Sequence, residues 1–493
     1  MNRQELLPVI IGIGQINDRP SADEPGLDSA SLMLAALAIA ERDAGVPLLG
    51  RLDWLGIENQ ISCPDPAIDE TVTRNLPSRP AHVRLTEDAS GHGPVELLNR
   101  AANAIGRGEV RLAAITGGEA LRTAAKRAAG GGMANALAAA AEAGATKLAW
   151  RYGLVTPADV YPLYENATRA AWGQTLAEAQ DETALIWSGL SRTAADNPYA
   201  WLCTPLTPHD ILAEGLANRM ISFPYTKLMV ANSAVNQGAA LILASQETAL
   251  ALGIPTERLV FVGPGAAAHE PADFLRRDGF TGSASLNASI DRALALNGLV
   301  TGLLDHVELY SCFPCVPKMA RRRLGWPADR PASVYGGLTF GGGPIGNCMT
   351  HAAAAMAEKL RAAPGNGLIV ANGGYATHNH TIALTSTAPA INPFPQDFNV
   401  QATADTLRGP IPTLLDDYTG PGTVESFTMP FGREGKPLGA TIVARTPEGA
   451  RFLAAVPGDD LGVLDWLTRA DPVGSAGQAQ PMADGRQRWV RGG

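Results

Sequence analysis

A repeated segment constrains the fold of this chain more than any other feature of its sequence. GEVRLAAITGGEA (108–120) and GNGLIVANGGYA (365–376) each contain a glycine, an apolar strand and then a pair of glycines. A long alanine-rich helix precedes each copy and begins beside a glycine cluster, SGHGP in the first case and GGGPIGN in the second. Two copies this far apart predict two similar halves rather than a solenoid. Both helix N-termini are then expected to point at a common site that favours negative charge.

Apolar runs and helical patterns alternate around these segments, which predicts a mostly parallel sheet covered by helices. LPVIIGIGQ is typical of a buried strand, and DSASLMLAALAIAERDAG of a helix with an N-terminal cap and a glycine stop. An alanine-rich and then aromatic helical segment interrupts the alternation. After it, short alternating runs such as GTVESFTMPF and ARFLAAVP predict a small antiparallel β domain. The predicted domains are an N-terminal half at 1–121 and 226–258, an inserted helical domain at 122–225, a C-terminal half at 259–395, and a β-rich, OB-like domain at 396–493.

The composition argues against several classes of function. The chain has 493 residues and a net charge of −9, so we expect neither a nucleic-acid partner nor a broad anionic-membrane surface. No apolar stretch reaches about 18 residues, which predicts no membrane span. The first residues lack the pattern of a secretion signal. Five cysteines in a chain of this size do not suggest a disulfide framework. We therefore expect a cytoplasmic protein.

Five segments follow one another in the order expected for one protein family. They are NAIGRGEVRLAAITGGEA, NPYAWLCTPLTPHDIL, SAVNQGAALILASQETALALG, VELYSCFP and GGLTFGGGPIG. With them the chain resembles the thiolase superfamily, and within it the sterol-carrier-protein-type thiolases, over roughly residues 6–385. Its last part is similar to the extra C-terminal β domain of the monomeric thiolase-like proteins called type 1. The resemblance implies an α/β thiolase fold of two similar βαβ halves with a helical insertion. It also implies coenzyme A or an acyl-CoA as the ligand, and no metal.

The catalytic groups of this family are absent at the matching positions. Thiolases attack a thioester with one cysteine, move protons with a second, and stabilise oxyanions with a histidine and an asparagine or second histidine. In this chain the positions of the two cysteines, the histidine and the asparagine fall on Gly91, Ala371, Gly343 and Tyr310. The resemblance therefore implies that ordinary thiolysis is absent or very slow.

The binding part of the family's site is retained. Ser233 matches the serine that touches the pantetheine arm of coenzyme A, although a serine in a turn or helix cap explains it equally well. The two glycine clusters are expected to leave backbone open to a thioester. Their relevant members are Gly342, Gly343, Gly373 and Gly374.

Four side chains are candidates for replacing the missing catalytic groups. Tyr310 ends the strand VELYS, where open α/β sheets place their ligands, and thiolase-fold aldolases of steroid side-chain breakdown look to carry a tyrosine at this point. Cys348 opens the second repeated helix with His351 one turn later, which suggests a nucleophile and its base. His92 adjoins Gly91 in SGHGP. A packing or surface role is the alternative for each of them, and for Cys348 and His351 packing is the better explanation.

Three other clusters are weaker candidates. His378 and His380 alternate on a strand without a nearby carboxylate, so we expect no metal there. Cys312 and Cys315 form a CxxC without a second pair at zinc-ribbon spacing. The basic run PKMARRRLGW (317–326) suits the phosphates of coenzyme A, but a solvated helix face is the better interpretation.

The sequence thus favours an acyl-CoA-binding protein with acyltransferase-like chemistry at a thioester. A retro-aldol C–C lyase that uses Tyr310 is one alternative, and a non-catalytic acyl-CoA-binding or partner protein is another. Because an added β domain can cover apolar surface that a dimer buries, a monomer is favoured and a dimer is left open.

Overall fold

Strands and helices alternate along most of the chain, in a computed structural model that describes residues 3–21, 23–127 and 146–492. The strands are β1 (Pro8–Asn17), β2 (Trp54–Ile57), β3 (His82–Leu85), β4 (Leu112–Ala120), β5 (Met220–Ser222), β6 (Tyr225–Thr226), β7 (Asn236–Ser245), β8 (Val260–Val262), β9 (Ala266–His269), β10 (His306–Leu309), β11 (Asn366–Gly373), β12 (His378–Thr385), β13 (Gly420–Thr428), β14 (Gly439–Arg445), β15 (Arg451–Pro457), β16 (Ala476–Pro481) and β17 (Gln487–Arg491). The α-helices are α1 (Ser29–Ala44), α2 (Ile68–Arg74), α3 (Gly93–Gly106), α4 (Leu121–Arg127), α5 (Lys147–Arg151), α6 (Pro157–Ala171), α7 (Leu176–Ala195), α8 (Pro208–Leu212), α9 (Gln246–Ala251), α10 (Ala284–Leu296), α11 (Cys315–Leu324), α12 (Cys348–Ala362), α13 (Gln401–Leu407) and α14 (Leu461–Arg469). None of these described helices is long and apolar enough to span a membrane.

The two halves share one sheet, whose described strands run in the order β10-β11-β12-β8-β1-β7-β4-β2-β3, with β9 paired to β12. In the first half β2 is parallel to β4, and β4 is antiparallel to β7. In the second half β10 is parallel to β11, and β11 is antiparallel to β12. Helix α3 precedes β4 and helix α12 precedes β11, so the repeated sequence segments occupy matching places. The prediction of an α/β fold with two similar halves is confirmed.

The prediction of a mostly parallel sheet is wrong. In the described sheet only β2–β3, β2–β4 and β10–β11 are parallel pairs, and the other pairs are antiparallel. The central strands β4 and β7 are buried along their whole length. A continuous apolar run indicates that both faces of a strand are buried, but it does not indicate the direction of the strand. The same pattern therefore fits a parallel and an antiparallel pair.

Local sequence explains how the first helix packs on the first strand. Gly14 of β1 faces α1 so closely that a Cβ there would collide with the Ala36 carbonyl oxygen. Asp28 caps α1 by accepting a hydrogen bond of 2.9 Å from the Ser31 N–H. Gly45 ends the helix in the left-handed region, with φ 77°.

The inserted segment is largely helical where the structure describes it, with the short strand β5 near its end, and threonine caps begin its longer helices. Thr156 and Asp159 form a capping box at the start of α6, and Thr175 and Glu178 form another at the start of α7. Residues 128–145, where the sequence also predicts helix, lie outside the described residues.

The last five strands close into a barrel in the order β13-β14-β15-β17-β16, with Trp489 buried in its core. The barrel docks on helix α6 of the insertion. The Ser426 hydroxyl donates to the Leu163 carbonyl at 2.5 Å, and the Asn166 amide donates to the Phe427 carbonyl at 3.0 Å. The prediction of a small C-terminal β domain is confirmed.

Candidate functional site

The N-termini of the two repeated helices, α3 and α12, meet at the carboxyl group of Glu58. Glu58 follows β2 directly and is fully buried. A Cβ on Gly93 would collide with its Oε2, and a Cβ on Gly346 would collide with its Oε1. The absence of a side chain at both helix starts thus leaves room for the Glu58 carboxyl, and the two starts share one point, as the repeat predicts.

The Glu58 carboxyl holds the loop that leads into α3. Its Oε1 accepts a hydrogen bond of 2.8 Å from the Ser90 N–H, whereas Oε2 has no partner among the described residues. Burial raises the pKa of Glu58 well above its usual range, and the nearby carboxyls of Glu119 and Glu96 raise it further. The two helix N-termini thus face an acid that the chain itself provides.

Gly91, the position matched to the family's nucleophile, lies against Tyr310. A Cβ on Gly91 would collide with the Tyr310 hydroxyl and with the carbonyl oxygen of Asn372. The phenol therefore occupies the space that a side chain at 91 would take. Burial raises the pKa of Tyr310 well above its usual value, and the neighbouring Cys348 and Cys312 add to the rise. Tyr310 is a hydrogen-bond or proton donor at neutral pH, and a poor base.

Cys348 and His351 have separate hydrogen-bond partners. The Cys348 thiol donates to the Ile345 carbonyl at 3.7 Å, and His351 Nδ1 lies 2.9 Å from Gln15 Oε1. Burial raises the pKa of the Cys348 thiol well above its usual value and lowers the pKa of His351 to about 3. Because the thiolate is the nucleophile, a buried thiol of raised pKa is poorly suited to attack a thioester.

His92 lies on the open side of the site, together with Ser90. Ser90 Oγ is 2.8 Å from His92 Nδ1, and the His92 ring stacks on His378 with 5.0 Å between centroids. Ser90 and His92 line a cleft of about 780 Å³. Burial, followed by the neighbouring His378, lowers the pKa of His92 to about 4. The imidazole is therefore neutral at pH 7.

The first group of predicted binding positions lies around Ser233. The carbonyl of Asn232, next to Ser233, accepts a hydrogen bond of 2.9 Å from the Gly343 N–H. Gly342 has a φ of 114°, and a Cβ there would collide with the Gln237 side chain. The Ser233 loop and the glycine cluster of the second half are thus in direct contact.

The second group, Gly373 and Gly374, lies beside the cleft instead. A Cβ on Gly373 would collide with Ser90 Oγ and His92 Nδ1. The Gly374 carbonyl accepts a hydrogen bond of 3.0 Å from the Tyr161 hydroxyl, and Gly374 lines the cleft. The structure therefore separates the four predicted glycines into two pairs with different neighbours.

The basic run 317–326 is a solvated helix face only in part, because one end turns inward while Arg323 near the other end is 41% exposed. Lys318 is fully buried and its Nζ lies 2.5 Å from Glu165 Oε1. The remaining cations of the run pair with acids as well: Arg321 and Arg322 with Glu182, and Arg323 with Asp291. These partners leave little charge for the phosphates of a ligand.

The histidines on β12 pack against aromatic rings. His380 is buried, its ring lies 5.2 Å from that of Phe398, and neither ring nitrogen has a hydrogen-bond partner in the described structure. Burial lowers its pKa to about 3. The described residues contain no group of three His, Cys, Asp or Glu side chains arranged to hold a metal ion.

Sequence reasoning missed two residues of this site, Glu58 and Ser90. Glu58 stands at the carboxyl end of a parallel strand, WLGI, which is where such sheets place functional groups. A single acid after a strand is common, so this signal is weak. Ser90 stands one residue before Gly91, and the spacing of a serine and a histidine across a glycine was the signal available for it.

The chain is similar to known proteins in its C-terminal domain and in its whole fold. A sequence-family model described as the thiolase-like protein type 1 additional C-terminal domain matches residues 400–485. The crystal structure of a monomeric SCP2-thiolase-like protein type 1 from Mycobacterium smegmatis is 28% identical, with a TM-score of 0.84 and 99% of each chain covered. The similarity therefore extends over the sheet, the insertion and the barrel together.

Two structures of lower identity share the fold. The Ltp2–ChsH2(DUF35) aldolase is 19% identical, with a TM-score of 0.59, and the match covers 76% of this chain and 97% of that one. Human mitochondrial 3-ketoacyl-CoA thiolase is 14% identical, with a TM-score of 0.58, and the match covers 78% and 100%. No curated protein matches the chain. The chain therefore has the predicted thiolase fold and is similar to a type 1 thiolase-like protein over 99% of its length, and its last part matches the additional C-terminal domain of such proteins.

Proposed function

We propose that this chain binds an acyl-CoA and acts on its thioester, by acyl transfer without the thiolase cysteines. The cleft at the start of α3 is the observation that supports the proposal. Its volume of about 780 Å³ is in the range of small-molecule sites, and Arg84 and Arg100 line it. Glu87, Asp88 and Glu96 line the cleft as well, and Arg100 binds Glu96, so Arg84 is the guanidinium left to attract an anionic ligand. Human mitochondrial 3-ketoacyl-CoA thiolase, which shares the fold, has been solved in complex with CoA.

Titration calorimetry with coenzyme A and a panel of acyl-CoAs tests this proposal. We expect binding that Arg84→Ala weakens about two- to fivefold, because one exposed charge interaction contributes about 0.5–1 kcal/mol. Arg74→Ala, on the exposed face of α2, is the matched control and leaves the affinity unchanged. No heat at millimolar ligand contradicts the proposal. Release of free thiol from the same panel then separates an enzyme from a non-catalytic binder.

A retro-aldol lyase acting next to a thioester is the second candidate, and the position of Tyr310 favours it. The Tyr310 hydroxyl fills the space beside Gly91 and stays protonated through burial. In retro-aldol cleavage the β-hydroxyl gives up its proton to a base and the thioester carbonyl oxygen becomes an enolate oxygen as the C–C bond breaks. A phenol of raised pKa suits donation to that enolate oxygen. The aldolase that shares the fold makes this chemistry accessible to the scaffold.

Tyr310→Phe and Cys348→Ala separate the two catalytic candidates. If Tyr310 transfers a proton, Tyr310→Phe loses about a hundredfold or more in kcat with little change in ligand affinity. Cys348→Ala stays within about tenfold of wild type, because its buried sulfur only packs. Turnover of acyl-CoA and of β-hydroxyacyl-CoA substrates measures both. An inactive Cys348→Ala beside an active Tyr310→Phe contradicts the role of Tyr310 and assigns the chemistry to the thiol.

We further infer a cytoplasmic monomer. Strand β3 is an edge of the described sheet, has only four residues and carries the exposed side chains of His82 and Arg84. Short edges with charged side chains resist pairing with a second sheet. The Mycobacterium smegmatis relative is monomeric, which supports the same state for this chain.

A further inference from the structure

Ser90 and His92 form a hydrogen-bonded pair that the function proposed above does not use. Ser90 Oγ lies 2.8 Å from His92 Nδ1. Both residues are half-buried and line the cleft at the start of α3. A hydroxyl within hydrogen-bond reach of an imidazole that is itself oriented by a third group is the arrangement of an activated nucleophile.

We propose that Ser90 is a nucleophile with His92 as its general base, and that the chain hydrolyses acyl thioesters and activated esters. The proposal rests on the proposed function in one respect, the delivery of the acyl group as a thioester. Ser90 directly precedes Gly91. The Ser90 hydroxyl therefore lies one residue before the position matched to the family's nucleophile. It lines the cleft and avoids the space that Tyr310 fills.

The His92 ring is held by its neighbours. Its Nε2 lies 3.9 Å from Glu96 Oε2, one helical turn later, while the other oxygen of Glu96 binds Arg100 at 2.6 Å. His378 stacks on the ring with 14° between the planes. A proton on Nε2 then faces Glu96 and leaves Nδ1 free to accept from Ser90. Glu96 acts as a positioning residue, through His92.

His92 is available as a base at neutral pH. Its burial, with the neighbouring His378, lowers its pKa to about 4, and Glu96 raises it by a smaller amount. The titratable groups that face His92 are Glu96 on its own helix and His378 and His380 on β12. His269 packs behind His378 at 6.0 Å. At pH 7, His92 can accept a proton without any change in the protonation state of these neighbours.

The backbone beside Ser90 suits an oxyanion. Ser90 N–H is occupied by Glu58, but the Gly91 and His92 N–H groups donate to no backbone carbonyl in the described part of the chain. They precede α3, whose N-terminal end carries a partial positive charge. Backbone donors placed in this way stabilise the negative oxygen of a tetrahedral intermediate.

The reaction balances with water as the only co-reactant. Ser90 Oγ bonds to the acyl carbon while His92 Nδ1 takes the hydroxyl proton, and the C–S bond breaks as that proton passes to the leaving thiolate. Water then attacks the acyl-serine, His92 takes a proton from the water, and the proton returns to Ser90 Oγ. The net products are a carboxylic acid and a free thiol.

Labelling with a fluorophosphonate tests the nucleophile directly, because the probe reacts with activated serines and needs no coenzyme A site. We expect Ser90 to be the phosphonylated residue in mass spectrometry of the full chain, and Ser90→Ala to lose the label. Ser78→Ala removes an exposed loop serine of the same half and is the matched control that labels like wild type. An unlabelled Ser90, under conditions that label a serine esterase, overturns the proposal.

Hydrolysis of p-nitrophenyl acetate measures the role of the base. We expect His92→Gln to lower kcat by about 10²–10⁴. The rate rises with pH through a midpoint of about 4 and then stays level through pH 7, since His92 must be neutral to act. A histidine of ordinary pKa gives a midpoint near 6.5 instead. An unchanged rate in His92→Gln, with the variant folded by circular dichroism, contradicts the proposal.

Glu96→Gln tests the positioning role. We expect about a tenfold loss in kcat at unchanged KM, and a pH midpoint below that of wild type, because the Glu96 carboxylate raises the pKa of His92. A purely structural Glu96 leaves the midpoint where it is.

Two combinations of results separate this proposal from the acyl-CoA proposal. A labelled Ser90 without calorimetric heat establishes the nucleophile and removes coenzyme A as the ligand. Heat with an unlabelled Ser90 retains acyl-CoA binding and overturns the nucleophile.

Discussion

Lys318→Ala is expected to lower the free energy of unfolding by about 3–5 kcal/mol. Lys318 is fully buried, its Nζ lies 2.5 Å from Glu165 Oε1, and it donates to the Ala179 carbonyl at 2.9 Å. Alanine removes the cation and leaves the Glu165 carboxylate in a dry interior, where an uncompensated charge is costly. Urea denaturation followed by tryptophan fluorescence measures the loss.

Arg323→Ala on the same helix is the matched control. Arg323 pairs with Asp291, but the two side chains are 41% and 42% exposed, so we expect a loss of about 1 kcal/mol or less. The double variant Lys318→Met with Glu165→Leu removes both charges together and should recover much of the stability. Equal losses for Lys318→Ala and Arg323→Ala contradict the buried ion pair.

Arg451→Ala is expected to cost about 3–5 kcal/mol and to loosen the barrel from the rest of the protein. The guanidinium is fully buried, binds Glu425 at 2.6 Å within the barrel, and donates to the Leu275 and Arg277 carbonyls of the second half at 2.5 and 2.7 Å. Alanine leaves both carbonyls without that donor. Scanning calorimetry should show an additional, earlier transition.

Arg445→Ala is the graded comparison for this change, because Arg445 binds the same Glu425 carboxylate but donates to only one carbonyl of the second half, that of Asp278, and is 26% exposed. We expect a loss of about 1 kcal/mol and one transition in calorimetry. A single transition for Arg451→Ala with a loss no greater than that of Arg445→Ala contradicts the anchoring role of Arg451.

The fold was predictable where the sequence repeats itself. The segments 108–120 and 365–376 predict two similar halves, and they contain β4 and β11. Each of these strands has a parallel neighbour on one side and an antiparallel neighbour on the other. The direction of the strands was not predictable, because β7 is apolar along its whole length and burial on both faces looks the same in parallel and antiparallel pairs. Direction depends on which distant strand is the partner, and no local pattern encodes that.

Single residues of the candidate site were predictable from the sequence, but the contacts between them were not. Tyr310 and Gly91 were singled out separately, and only the fold shows that they touch. The spacing of Lys318 and Arg322 places them on one face of a helix. It does not show that Glu165 and Glu182, from another part of the chain, meet that face. A basic residue on a buried helix face and one on a solvated helix face give the same sequence pattern. Whether the face is buried depends on the acidic partner that the fold brings to it.

The contact between Gly91 and Tyr310 makes the two positions mutually dependent in evolution. A cysteine introduced at 91 alone puts its Cβ into the volume of the phenol and against the Asn372 carbonyl, and overpacking of this kind costs about 1–3 kcal/mol. A smaller residue at 310 has to be present first, or to arrive together with the cysteine. The absence of a side chain at 91 is thus tied to the tyrosine at 310, and introducing a sulfur nucleophile there calls for two substitutions.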